Sequence, residues 1–527
     1  MTRDFHLPGR SAVYATGGMV ATSHPLASLA AVEIMRAGGT AADAAVAAMA
    51  VACVGEPHMT GIGGDCFCLV ARPGQPIWGY NGSGRTGAAM RPEALIEQGL
   101  KDIATDSVHA VTVPGAVEAW DKILKTHGRF GLDRVLQPAI DAAERGVAVQ
   151  PRVALDWSLA VEKLRKHAAS AKHFLVDGRA PRAGDVVTFP ALAGTLRSLA
   201  KDGARAFYEG EIADDIVATL ASLGGVLTAA DLAAHRGEQV TPISTNYRGL
   251  EVVELPPNGQ GLAALVMLNI LERFDMKALD ANGADRLHLL IEAGRLAYAM
   301  RNTTIADPAF MTEQVSALLD RAFAAKLAGM IDPAKRSPFP KAVKPMGSTV
   351  LVCVVDKDRN AVTMINSLFS AFGSGIATEK AGILLHHRGS GFNLTLGHPN
   401  CIGPSKRPLH TIIPALALRD GRVDMAFGVM GGAYQAMGHA HVISNIVDHG
   451  MDLQTAIDWP RVFFEGEQVQ VENGVGEDVM QTMRGMGHDV ARRTLPHGGG
   501  QAIRIDWDRG VLIGASDPRK DGCALGY

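Results

Sequence analysis

The stretch that decides the fold runs from Gly347 to Phe372, GSTVLVCVVDKDRNAVTMINSLFSAF. Behind Thr349, Val350, Val352 and Val354 alternate with Leu351, Cys353 and Val355, the pattern of a strand buried on both faces. Asp356 to Asn360 supplies a polar turn, Ala361 to Phe369 a second strand of the same character, and Gly373-Ser374-Gly375 the stop. A threonine at the head of such a strand admits two readings. It is a good strand residue. It is also a hydroxyl that its own α-amino group could activate, were the bond before it cut. Ahead of it, Lys335 to Gly347 reads as a loop, with three prolines and three lysines.

The rest of the composition narrows the field. The chain has 527 residues, a formal net charge of −3 and 47% hydrophobic residues, enough for one large core. Mixed charge suggests neither nucleic acid nor an anionic membrane as partner. The most apolar run, Ala41 to Val54, is too short to span a bilayer, and MTRDFHLPGRS lacks the apolar centre of a secretory signal. The expected location is the cytoplasm. Six cysteines are too sparse for a disulfide framework. Cys66 and Cys68 lack metal-ligand spacing, so neither a structural metal nor a cofactor is expected.

Upstream, Ser23 and Pro25 suit the first turn of a helix that Gly38-Gly39 ends, and Thr40 with Asp43 forms a capping box for the next. Ala41, Ala44, Ala45, Ala48 and Ala52 let that second helix sit close to a sheet. Gly61-Ile62-Gly63-Gly64 is a tight loop before a strand, without the lysine of a phosphate cradle. Helical spacing recurs over Gly115 to Lys125, Leu132 to Arg145, Leu262 to Phe274 and Asp285 to Ile305. The last places His288, Glu292 and Arg295 within reach of one another. With no third ligand in view, a helix-surface hydrogen bond or salt bridge is expected there rather than a metal.

Landmarks along nearly the whole chain resemble the γ-glutamyltranspeptidase family of N-terminal-nucleophile hydrolases. They are Glu56-Pro57-His58 leading into Gly61-Ile62-Gly63-Gly64, Val113-Pro114-Gly115, Gln137-Pro138-Ala139-Ile140, Phe207-Tyr208-Glu209-Gly210 and Pro256-Pro257-Asn258-Gly259-Gln260-Gly261. Arg301 with Asp307-Pro308, Lys406-Arg407-Pro408, Gly431-Gly432 and Ser516-Asp517-Pro518-Arg519 continue the series. The resemblance implies an α+β fold, a four-layer αββα sandwich. It also implies a precursor that cuts itself between Ser348 and Thr349 into a large piece, 1–348, and a small one, 349–527. The two would interleave in one core as a heterodimer, with further dimerisation open. By the same resemblance Thr349 is the nucleophile, Ser367 its hydroxyl assistant, and Gly431 and Gly432 the donors to the oxyanion.

The substrate positions depart from the family. Its arginine for the substrate α-carboxylate falls near Ser83, with Arg85 slightly later. Its aspartate for the α-amino group becomes Gly391, a nearby glutamine becomes Arg388, an asparagine becomes Phe369, and paired serines become His410-Thr411. Losing an aspartate and gaining an arginine disfavours an ammonium and favours a carboxylate. Asn393 to Ser405 is shorter than the family's lid-bearing loop, which favours water over transfer. The expected substrate is a small carboxylate-bearing amide, oxamate-like or glutaryl-like. Two alternatives stand beside it: a true γ-glutamyltransferase acting on glutathione, and an uncleaved, non-catalytic relative, since Val350-Leu351 replaces the usual Thr-His. For Arg85 and Arg388 a structural salt bridge is the competing role.

Overall fold

The computed structural model describes residues 9–338 and 348–527, with Ser348 by its backbone. Most of the expected connector, 339–347, lies outside the described residues. Seven elements position the site: α1 (Ala41–Gly55), β1 (Asp65–Ala71), α2 (Ala284–Thr304), β2 (Ser348–Val355), β3 (Ala361–Phe369), β4 (Arg422–Met430) and α3 (Tyr434–Val447).

Two seven-stranded antiparallel sheets face each other. One runs Ala524–Gly526, Met19–Ala21, β2, β3, β1, Trp78–Asn81, Glu238–Val240; the other runs Val13–Ala15, Val511–Ser516, Gly499–Asp506, β4, Ala415–Arg419, Leu250–Glu254, Ile243–Tyr247. Each sheet contains strands from before and from after Ser348. Helices cover the outer faces, α1 on the first sheet and α3 with Gly261–Leu271 on the second, and α2 packs on Gly261–Leu271. This is the four-layer αββα sandwich.

The sequence rules act locally as expected. β2 and β3 are paired from Val350↔Asn366 to Val355↔Ala361, and Val350 to Val355 and Ala361 to Phe369 are buried throughout. In the turn, Asp356 Oδ1 accepts from the N–H of Asp358 and Asn360, each at 3.0 Å, an Asx turn. Thr40 and Asp43 close the expected capping box on α1. Every residue of that helix is buried, which alanines permit against a sheet. The preceding helix, Pro25–Arg36, corrects one detail: its cap is His24, whose Nδ1 accepts from Leu26 N. Ser23 donates instead to Glu56 Oε2 at 2.6 Å.

A second correction concerns α2. His288, Glu292 and Arg295 lie in the interior, not on a helix surface, and a third ligand type, His488, stands with His288 and Glu292 inside 4.8 Å. The group has hydrogen-bond partners throughout. His288 bridges His488 Nε2 and Asp332 O, each at 2.8 Å. Glu292 takes Arg295 Nη1 on one oxygen and Ser337 N on the other, both at 2.8 Å. The expected Glu292–Arg295 salt bridge is present. Among the described residues, no helix is long and apolar enough to cross a membrane.

Candidate active site

Register brings the site together. The β2–β3 ladder slips between Ser348 and Val350, so Thr349 faces the two residues Ser367 and Leu368, a bulge of the kind that re-aims a side chain. Thr349 Oγ1 lies 3.1 Å from Ser367 Oγ. Gln435 Nε2, from the first turn of α3, donates to Thr349 Oγ1 at 3.4 Å. Neither neighbour is a base at neutral pH. Thr349 is fully buried.

Ser367 accepts from Phe369 N at 2.9 Å and from Arg388 Nη2 at 3.1 Å. A hydroxyl has two lone pairs and one proton, so with both pairs taken its O–H acts as a donor, and Thr349 Oγ1 is within its reach. Arg388 also donates through Nη1 to Thr411 Oγ1 at 2.9 Å, and its guanidinium lies 4.0 Å from the Phe369 ring centre. Burial pulls its pKa down to about 9, against the attraction of Asp65.

Beside this row opens a cavity of about 240 Å³ walled by Arg301, Asn302, Phe369, Ser390, Gly391 and Thr411, among others. That is below the roughly 300–1,000 Å³ of drug-sized ligand sites and suits a small acyl group. Gly391 brings only backbone to the wall, and a Cβ there would meet Leu409 O at 2.7 Å. Phe369 and Thr411 form part of the wall and Arg388 lies directly behind them. His410 faces away, 3.0 Å from Asp65 Oδ2, with its ring 4.6 Å from that of Phe67 and tilted by 30°. Arg85 is placed elsewhere: it pairs with Asp307 at 2.8 Å and Glu238 at 3.1 Å and does not line the cavity. The salt-bridge reading holds for Arg85.

β4 ends at Met430 and the chain turns through Gly431 (φ 127°) and Gly432 (φ 58°) into α3. A Cβ on Gly431 would come within 2.8 Å of Gly498 Cα, so the close approach itself requires glycine. Among the described residues neither glycine N–H meets a protein acceptor, the condition for donors reserved for a transient oxyanion. Gln260 Nε2 fixes the turn from behind, donating to Gly432 O at 2.9 Å and Thr411 O at 2.8 Å.

Sequence reasoning missed four of these residues as site members: Gln435, Gln260, Arg301 and Asp65. Arg301 is buried, donates to Gln260 Oε1 at 2.5 Å and to Asn302 Oδ1, and pairs with no carboxylate among the described residues. Its signal was only a family landmark. Asp65 carried a better one, a carboxylate inside the apolar run DCFCLVA.

Comparison with known proteins agrees with this geometry. The family model described as γ-glutamyltranspeptidase matches residues 27–527. The chain is 37% identical over 526 residues to the glutathione hydrolase-like YwrD proenzyme of Bacillus subtilis, covering 98% of this chain and 99% of that protein. It is 36% identical over 531 residues to the oxamate amidohydrolase proenzyme of Klebsiella pneumoniae, covering 97% and 99%. The crystal structure of cephalosporin acylase from Bacillus halodurans superposes with a TM-score of 0.92 at 38% identity, covering 100% of this chain and 99% of that one. The chain therefore belongs to the γ-glutamyltranspeptidase family of N-terminal-nucleophile hydrolases, and it is an enzyme of that class.

Proposed function

We propose that this protein cuts itself between Ser348 and Thr349 and then hydrolyses a small carboxylate-bearing amide, oxamate-like or glutaryl-like, through an acyl-enzyme on Thr349. The observation that carries the substrate reading is the cavity wall, which holds one guanidinium, Arg301, with a second, Arg388, behind it, and no carboxylate. An α-ammonium would meet two like charges there. A carboxylate would meet two opposite ones, in a site of low dielectric.

The chemistry follows from the neighbours of Thr349. In the uncut chain its Oγ1 attacks the Ser348 carbonyl carbon; the Ser348–Thr349 C–N bond breaks and the nitrogen takes a proton. Water then hydrolyses the resulting ester, releasing the Ser348 carboxylate, the Thr349 hydroxyl and a free α-amine. Among the described residues no carboxylate or imidazole hydrogen-bonds the hydroxyl, which supports that amine as the base for turnover. It takes the hydroxyl proton as Oγ1 attacks the substrate amide. Gly431 and Gly432 N–H hold the oxyanion, and the proton passes to the departing amine. Water removes the acyl group. The names of the relatives are in keeping with this: several are proenzymes, and one acts on oxamate.

A glutathione-acting transferase needs an acid for the α-amino group, and Gly391 stands where the family carries it. The test is product release by the purified, cut protein from oxamate, a glutaryl amide and glutathione. The expected result is a kcat/KM at least about tenfold higher for one of the first two, the worth of one charge contact of ~1.4 kcal/mol. Arg301→Met should raise KM for that substrate. Equal rates on glutathione would contradict the reading.

A further inference from the structure

We propose that Asp65 is a positioning residue of this site, holding Arg388 on the hydroxyls of Ser367 and Thr411 and thereby setting Ser367 against Thr349. The inference rests on the reading of Thr349 as nucleophile.

Register supplies the first argument. Asp65 opens β1 directly opposite Ser367 on β3, and Thr349 lies opposite Ser367 on the other side. Paired residues on neighbouring strands share a face, so one row crosses three strands: hydroxyl, hydroxyl, carboxylate.

Protonation supplies the second. His410 Nδ1 accepts from Ile412 N at 3.3 Å, so the neutral ring carries its proton on Nε2 and donates it to Asp65 Oδ2 at 3.0 Å. His386 Nδ1 likewise accepts from Arg388 N at 2.9 Å, which leaves an Nε2–H 3.9 Å from Asp65 Oδ1. The N–H groups of Gly84 and Gly115 both reach Oδ1 at 3.2 Å. Every group aimed at Asp65 is a donor, and these donors with Arg388 favour the carboxylate anion against the burial that raises its pKa to about 7. Both imidazoles are held neutral by burial.

Charge supplies the third. Arg388 is fully buried and its hydrogen-bond acceptors are hydroxyls, so nothing it touches directly balances it. Asp65 is the anion that does so, across His386 and His410. Remove it, and a buried guanidinium has reason to leave Ser367 for water. Ser367 would then lose the Arg388 donor that helps fix its proton.

The experiment is a double-mutant cycle with Asp65→Asn and Arg388→Met, read as kcat and KM on whichever amide the wild type hydrolyses, and as the rate of fragment formation in purified precursor. We expect Asp65→Asn to lower kcat roughly 10- to 100-fold, the scale of a misplaced reacting group, with KM within about threefold. The double variant should be no slower than Arg388→Met alone. Should Asp65→Asn fail to fold, Arg388→Met is compared with the double variant, in which no charge is stranded: equal kcat supports the proposal and a further loss overturns it. A kcat within twofold of wild type for Asp65→Asn, or losses that multiply in the double variant, also overturn it. Fragment formation needs no added substrate, so a wrong substrate class is told apart from a wrong role for Asp65.

Discussion

Two buried clusters in this chain draw on the same residue types and do opposite things. Around α2, His288, Glu292, Arg295 and His488 satisfy one another and the backbone of Asp332 and Ser337, and none has an orphaned polar atom. Around Thr349, among the described residues, Arg388 Nε and His386 Nε2 are buried without a hydrogen-bond partner, the N–H groups of Gly431 and Gly432 meet no protein acceptor, and a cavity opens alongside. The first is a fastening. The second keeps donors and charge in reserve for a ligand. Burial and perturbed protonation are common to both, so neither marks the site; unsatisfied groups close behind a cavity wall do.

This contrast can be broken in several places. The largest effect belongs to Thr349→Ala, which should reduce turnover by roughly 10⁴-fold or more, measured as product release. Close in size, Glu292→Ala removes the buried carboxylate that pairs with Arg295 and accepts from the Ser337 N–H, and should cost about 3–5 kcal/mol of stability in denaturant titration. Its kcat per folded molecule should stay at the wild-type value; a large loss of kcat would erase the distinction between the clusters. Gly431→Ala should act the other way round. It pushes a methyl toward Gly498 in the turn that presents the oxyanion donors, so kcat should fall about 10²–10³-fold. Smaller is Arg301→Met, expected to raise KM for a carboxylated amide by about tenfold while leaving kcat nearly unchanged. An unchanged KM would remove Arg301 from the acyl site.

The strand pair around Thr349 was legible because alternation, an Asp-to-Asn turn and a terminating Gly-Ser-Gly are local signals, and its bounds are those expected. Helix starts were legible to within a residue. Thr349, Ser367, Phe369 and Thr411 were found through family landmarks, and the structure gathers them. Arg388 was named for its charge, and Phe369 and Thr411 stand between it and the cavity. Arg85 failed because its partners, Asp307 and Glu238, are distant in sequence. Asp65 went unnoticed for a related reason. β1–β3 register sets it across from Ser367, and the loop carrying His386 and Arg388 gives it a charge to balance. His488 lies 200 positions from His288, beyond any helical spacing.

The central claim is that Thr349 is a concealed N-terminus whose own amine becomes the base. The intact mass of freshly purified protein, wild type beside Thr349→Ala, tests it most directly. The account predicts two fragments meeting at Ser348 and Thr349 in the wild type and a single full-length chain in the variant. A wild-type chain that stays whole while hydrolysing amides, or a variant that cuts at the same bond, would contradict it.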